Sequence, residues 1–418
     1  MSKERLVIKN FGPIESVDLE LGKITILIGD NATGKSTIAK VLAVCRYFSY
    51  IVDYSHGIGI DSSFDDGLSY WGISDYLKKD TYIEYHCEAY KLHVIYEIKD
   101  WDYETNEHGE VIGKGTPIYA GSKVIFDWKS EKFESLLQKL KALQPWNSNE
   151  NTSTSFDKID DEWINWRPNS SFFEIDVKQV MENPFYFPTE RGLQSVFSLG
   201  RSKSVNDSLY EQLADLYNIS ATFTKPAIIE PFDVKYKNID GKGLIQKNDE
   251  DFISLQNSAS GYQSTIPIVL VIKYYAEREK RYGRTYIVEE PETNLFPKRQ
   301  KKLIEFFAET INNYKNQFIV PTHSPYILSA LNNCLYASHL SKLKNKKQDD
   351  AIDAIINKKY WLAVENVSVY FLENGGAKNL VNKEEGLIDI DDLDSVSRDI
   401  NHVFDELLQI EMIEDEQF

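Results

Sequence analysis

One loop limits what this chain can fold into more than any other feature: Gly29-Asp30-Asn31-Ala32-Thr33-Gly34-Lys35-Ser36-Thr37. It fits G-x-x-x-x-G-K-[ST]. An apolar run at 23–28 precedes it and reads as a buried strand. The stretch 38–50 follows, with Ile38, Val41, Leu42 and Cys45 about one helical turn apart. Strand, loop and helix in that order form a phosphate cradle. Glycines let backbone N–H groups curl round an anion, and the helix N-terminus adds partial positive charge. The expected ligand is ATP with Mg²⁺, Lys35 reaching the β- and γ-phosphates and Ser36 holding the metal. The competing reading is a glycine turn beside an exposed lysine, but average residue usage puts a chance match at roughly 1–2%.

The rest of such a site has to come from elsewhere in the chain. Thr285-Tyr286-Ile287-Val288-Glu289-Glu290-Pro291-Glu292 is an apolar strand ending in acids. Ligands gather at the carboxyl ends of parallel strands, so these acids are expected beside the cradle. Glu289 is assigned to Mg²⁺ and Glu290 to the attacking water. Ser260-Gly261-x-Gln263 precedes a helix expected over about 265–281, with Pro267 in its first turn. Small residues at a helix N-terminus make a second anion site, although a Ser/Gly helix cap has the same composition. Gln317-Phe318-Ile319-Val320-Pro321-Thr322-His323-Ser324-Pro325 is a further strand ending in a polar loop. A lone histidine is usually structural; with the other motifs present, His323 is expected to contact the γ-phosphate.

Composition narrows the partners. The 418 residues carry a formal net charge of −18, which excludes a generic basic coat for nucleic acid and leaves DNA or RNA contact local or indirect. Arg191, Arg201 and Lys203 form a small basic cluster that reads as a solvated loop or as a contact to nucleotide, subunit or nucleic acid. Three cysteines, Cys45, Cys87 and Cys334, have no metal spacing and fit a reducing compartment. The N-terminus lacks the apolar core of a signal peptide, and the apolar run near 266–272 is too short to span a bilayer. A cytoplasmic protein without a membrane association is expected. Along the chain, 5–9 and 16–21 read as strands, 57–76 as irregular and 82–98 as an antiparallel hairpin. A strand is expected at 124–128, an amphipathic helix at 131–143 and another helix at 210–217. Residues 233–244 read as a hairpin turning at Asp240-Gly241, and 389–418 as an acidic helix.

Together, residues 29–37, 260–263, 289–297 and 322–325 resemble the ABC-type ATPase head of the RecF and Rad50 kind. Glu-Glu-Pro-Glu-x-x-Leu-x-Pro with a later Thr-His-Ser-Pro is most similar to the overcoming-lysogenization-defect (OLD) group. The resemblance implies an α/β fold: an ABC-type P-loop head with a mixed sheet, an antiparallel β subdomain, a helical signature lobe and a short α+β C-terminal extension. The expected partition is a head over 1–335 and an extension over 336–418. Within the head, 1–130 and 185–335 form the nucleotide core and 131–184 a helical or loop insertion. It implies a homodimer or higher oligomer in which two heads sandwich ATP, Ser260 of one facing the loop of the other, with Asn294 at the interface and His323 as the switch histidine. Glu289 stands where transport ATPases carry Asp, and Gln179 and Gln194 are the candidates for the Q-loop glutamine. Residues 336–418 show no Toprim acid pattern, so the resemblance extends to nuclease-free heads of antiphage systems such as Septu, retron-linked Septu and PARIS. Those heads hold or gate a separately encoded nuclease. The alternatives are a DNA-repair ATPase of the RecF or Rad50 kind that binds DNA directly and a transporter's ATPase subunit.

Overall fold

A computed structural model describes residues 4–46, 60–87, 90–102, 116–128, 184–189, 218–246, 251–278, 283–344 and 347–389. The chain opens with an antiparallel pair, β1 (Glu4–Phe11) and β2 (Ile14–Leu21). In β2 the burial alternates as its sequence does, with Ile14, Val17, Leu19 and Leu21 buried. Next come β3 (Ile24–Gly29), buried throughout, the loop, and α1 (Lys35–Arg46). A second helix, α2 (Ile60–Tyr70), occupies the stretch expected to be irregular. Its Ser, Asp and Gly content suggested a loop, but Phe64 and Leu68, four residues apart, are both buried in the core that also holds α1. Strands β4 (Leu77–His86), β5 (Tyr90–Asp102) and β6 (Thr116–Trp128) then complete a five-stranded antiparallel sheet, ordered β2-β1-β4-β5-β6.

Strand β7 (Phe185–Phe187) is short and aromatic. A small antiparallel sheet follows, of β8 (Ala227–Ile229), β9 (Val234–Ile239), β10 (Lys242–Gln246) and β11 (Phe252–Ser254). The β9–β10 turn is the expected Asp240-Gly241, both residues at positive φ (49° and 78°), which suits a two-residue hairpin. Helix α3 (Ser260–Arg278) leads to β12 (Thr285–Val288), α4 (Pro297–Tyr314), β13 (Gln317–Thr322), α5 (Pro325–Leu343) and α6 (Asp349–Ile355). Helix α3 begins at Ser260 itself, five residues before the expected start, so Pro267 lies inside the helix and not in its first turn. The Gln263 side chain donates to the carbonyls of Gln256 (3.1 Å) and Ser258 (2.8 Å), pinning the loop just before the helix.

The central sheet has six strands. β14 (Val367–Glu373) and β15 (Gly376–Asn379) lie at one edge, and the order is β15-β14-β3-β13-β12-β7. From β14 to β7 all neighbours run parallel. Alternate residues face two cores. Ile24, Ile26, Val288 and Val320 pack with α3, α4 and α5, while Leu27, Ile287 and Ile319 pack with α1, α2 and the five-stranded sheet. This order draws the partition differently from the expected one. Residue 335 falls inside α5, and β14, from the expected extension, pairs directly with β3. A β-carbon on Gly29 would collide with the carbonyl of Leu372 at the end of β14, so the start of the phosphate loop is packed on a C-terminal strand. The expected helices at 131–143, 210–217 and 389–418 and the basic cluster of Arg191, Arg201 and Lys203 lie outside the described residues, as do Gln179 and Gln194.

A buried polar network binds the layers at the sheet's other end. The Arg46 guanidinium, at the last residue of α1, donates to Glu4, Tyr85, Thr285 and Gln317. The Gln317 amide donates in turn to Glu4 (3.0 Å) and to the Gly22 carbonyl (2.8 Å). Burial pushes the Glu4 carboxyl up, but the Arg46 charge and the hydrogen bonds from Arg46, Tyr85 and Gln317 outweigh it and hold the group below its ordinary value.

Candidate functional site

Three strand ends meet at the carboxyl edge of the central sheet: Gly29 closes β3, Glu289 and Glu290 follow β12, and His323 follows β13. The loop after β3 turns through Ala32 (φ 63°) and Gly34 (φ 97°) into α1, where Ser36 is exposed in the first turn and Thr37 is buried. Asp30, Asn31 and Ala32 are exposed along the loop, and Thr33 Oγ1 donates to the Asp30 carbonyl at 2.9 Å. Lys35 is only 6% exposed, and its ammonium donates to the carbonyls of Gly29 (2.8 Å) and Asp30 (2.6 Å). Burial lowers its pKa from the ordinary lysine value, while the charges of Glu290, Asp30 and Glu292 oppose that shift. Those acids therefore lie within electrostatic reach of the loop lysine.

The two adjacent acids sit in different surroundings. Glu289 is buried, and its Oε1 accepts a 2.6 Å hydrogen bond from the Tyr186 hydroxyl of β7. The side chain of Glu290 is about a third exposed (35%), with its Oε1 3.5 Å from Nε2 of His323. Its backbone has φ 42°, a strained value for a non-glycine residue, and its N–H donates to the Pro321 carbonyl at 2.8 Å. Sequence reasoning missed Tyr186. The only trace was an aromatic strand, and nothing local says that its hydroxyl meets a carboxylate a hundred residues on.

Ser260 is exposed at the N-terminus of α3, beside the loop after β12. Gly261 makes that adjacency possible: a β-carbon there would lie 2.7 Å from the carbonyl of Asn294. The Ser264 hydroxyl also donates to the Thr293 carbonyl at 3.2 Å. Asn294 is exposed at φ 62°, and Phe296 after it is 78% exposed. Ser260 and Gln263 touch none of the loop residues within one subunit by any hydrogen bond identified among the described residues. Gln263 instead serves the backbone ahead of α3.

Mg²⁺ fits the donors present. Among the described residues no three His, Cys, Asp or Glu side chains are grouped to hold a metal by themselves. An exposed hydroxyl, Ser36, and a carboxylate held by a tyrosine, Glu289, are donor types that suit an ion taking its remaining ligands from phosphate and water.

A family model described as "AAA ATPase domain" matches residues 1–45 and 83–328, well over half of the chain. The chain belongs to the AAA ATPase domain family. The loop at 29–37 and the acids at 289–290 both lie inside the matched segments. No curated protein matches the chain by sequence. Among solved structures, the SMC head domain from Thermotoga maritima is 12% identical, with 91% of this chain and 99% of that chain covered and a TM-score of 0.39. An Smc head domain from Pyrococcus furiosus, bound to the C-terminal domain of ScpA, is 10% identical over 96% and 99%, with a TM-score of 0.39. The recombination mediator RecF is 10% identical over 91% and 99%, with a TM-score of 0.36. No helix of the described residues is long and apolar enough to cross a membrane.

Proposed function

We propose that this ATPase-family chain binds Mg²⁺-ATP at residues 29–37 and hydrolyses it, with Glu290 as the group that orients and deprotonates water. The observation that carries this reading is the meeting of Lys35, Glu290 and His323 at one sheet edge, the last two 3.5 Å apart. Backbone N–H groups and Lys35 hold the phosphates. Ser36 and Glu289 would hold Mg²⁺, which would supply charge neutralisation to the bound triphosphate. Glu290 is exposed enough to reach water, and His323 beside it is suited to the γ-phosphate. Assigning the metal to Glu289 and the base to Glu290 follows from their surroundings: the buried acid is fixed by a tyrosine, the other faces solvent.

The reading extends to self-association. Ser260, Asn294, Phe296 (78% exposed) and Tyr326 (54% exposed) are all open to solvent on elements that border the site. Two copies facing each other would let Ser260 and the N-terminus of α3 complete the partner's phosphate site and would cover Phe296. The resemblance to OLD-like heads supports a further step, in which the ATP-bound assembly regulates a separately encoded effector, a nuclease, in antiphage defence. The test is direct. Purified chain hydrolyses ATP only with Mg²⁺, and Lys35→Ala abolishes binding or turnover. Co-expression with the neighbouring gene yields an ATP-dependent complex. Turnover that survives Lys35→Ala removes the ATPase reading, and nuclease activity from the chain alone removes the effector step.

A further inference from the structure

One acid of the Glu-Glu-Pro-Glu run has no part in the chemistry above. Glu292 Oε1 accepts two hydrogen bonds from the loop after β13: the Thr322 hydroxyl at 2.7 Å and the backbone N–H of His323 at 2.7 Å. The Thr322 hydroxyl in turn accepts the Ser324 N–H at 3.0 Å. One carboxylate oxygen therefore gathers Thr322, His323 and Ser324 into a single turn. The far side of that turn is tied down separately, the Ser324 hydroxyl donating to Gln300 Oε1 at 2.6 Å and the Gln300 amide to the Leu295 carbonyl at 2.9 Å. On its own side, Glu292 is two residues from Glu290, and its carbonyl accepts the Leu295 N–H at 2.8 Å. Its Oε2 is buried and makes no hydrogen bond, so only Oε1 holds the loop.

We infer that Glu292 is a positioning residue: through Oε1 it fixes the backbone at His323, and so sets the gap between the His323 imidazole and Glu290. The physical reason is economy of constraint. His323 and Glu290 sit on different strand ends, and both side chains are about a third exposed (33% and 35%), so neither is held by packing alone. A charge-assisted bond to the histidine's own N–H removes backbone freedom that imidazole contacts leave open. Thr322 and Glu292 thus form a brace between the two catalytic strand ends, with Glu292 acting through His323 and not on the nucleotide.

The inference rests on the hydrolytic reading of the site, and its test separates the two. In the full chain, E292A lowers kcat by about 100-fold, the loss expected when a reacting group is misplaced by about 1 Å. KM for ATP moves by less than about threefold, because no hydrogen bond among the described residues joins Glu292 to the phosphate loop and its charge acts on Lys35 only after those of Glu290 and Asp30. E292Q keeps a carbonyl oxygen for both donors and recovers at least about tenfold of that loss. Adding E292A to H323A costs no further rate, because both act through one side chain. Equal kcat in E292A and wild type overturns the inference, and so does a double-variant loss equal to the product of the single losses. A second readout does not need turnover. Hydrogen exchange at the His323 amide accelerates by about tenfold or more in E292A, with global melting preserved. Unchanged exchange at that amide overturns the inference even if the wild-type chain binds ATP without hydrolysing it, a result that would by itself remove only the hydrolytic reading.

Discussion

Removing the Tyr186 hydroxyl takes away the donor that orients Glu289, while the ring keeps its place against Trp71, 4.4 Å away between centroids. A hydrogen bond to a charged group contributes about 1.5–3 kcal/mol, so Tyr186→Phe should raise the Mg²⁺ concentration for half-maximal turnover by about tenfold or more. An ATPase titration with Mg²⁺ reads this directly, and an unmoved midpoint would take Glu289 out of the metal site. Glu290→Gln keeps the shape of the side chain and deletes the base. Turnover should fall by about 10²–10⁴-fold with ATP binding retained, so that ATP-bound assemblies accumulate and are seen by size-exclusion chromatography. The chemical identity of these two acids was legible in the sequence, because an apolar strand running into carboxylates is a local pattern. The expected roles, Glu289 for Mg²⁺ and Glu290 for water, came with that pattern; the different surroundings of the two acids did not, because Tyr186 and His323 approach them from β7 and β13.

At the level of elements, the start of α3 and the loop after β12 behave as one unit. Gly261→Ala places a methyl group 2.7 Å from the Asn294 carbonyl, and backbone cannot yield as a side-chain tip would. A loss of about 1–3 kcal/mol of stability is expected from such overpacking, measurable in urea, together with reduced turnover. Ser260→Arg, on an exposed site, should leave melting unchanged and block ATP-dependent self-association; a dimer that still forms would refute the assignment of Ser260 to the partner's site. The position of α3 was read five residues late, since Pro267 suggested a first turn. Proline's missing N–H is a local cost, and here the burial of Ile266, Ile268, Val269 and Leu270 carries the helix through it. In α2 the converse held, a polar composition concealing two well-spaced core residues, Phe64 and Leu68.

Across the whole molecule, the Arg46–Glu4 network joins α1, both large sheets and the amino ends of β12 and β13. Because Glu4 titrates below its ordinary value of 4.5 when folded, the unfolded chain binds more protons in that window. The contribution of Glu4 is therefore complete above pH 4.5 and is lost as pH falls through the depressed folded value. Glu4→Gln should lower stability at neutral pH by about 3–5 kcal/mol, the usual cost of removing one partner of a buried pair, and should flatten the acid limb of the stability profile. Chemical denaturation from pH 3 to 7 checks both. Ending the chain at residue 366 removes β14 and uncovers β3 along its length. Such a chain should fail to fold, whereas a separate C-terminal extension would have left a stable head. The matched family segment ends at residue 328, before β14.

Residues near one another in sequence settled the phosphate loop, the acid-ended strand, the polar loop at His323 and the hairpin at Asp240-Gly241. In each, the chemistry is set by spacing along the backbone, and a few residues suffice to state it. Which strand lies beside which was decided only in three dimensions. β14 flanks β3, Tyr186 reaches Glu289 and Glu292 grips the backbone of His323 because parallel strands pair through long crossovers, and those crossovers leave no mark at either end of the chain they connect.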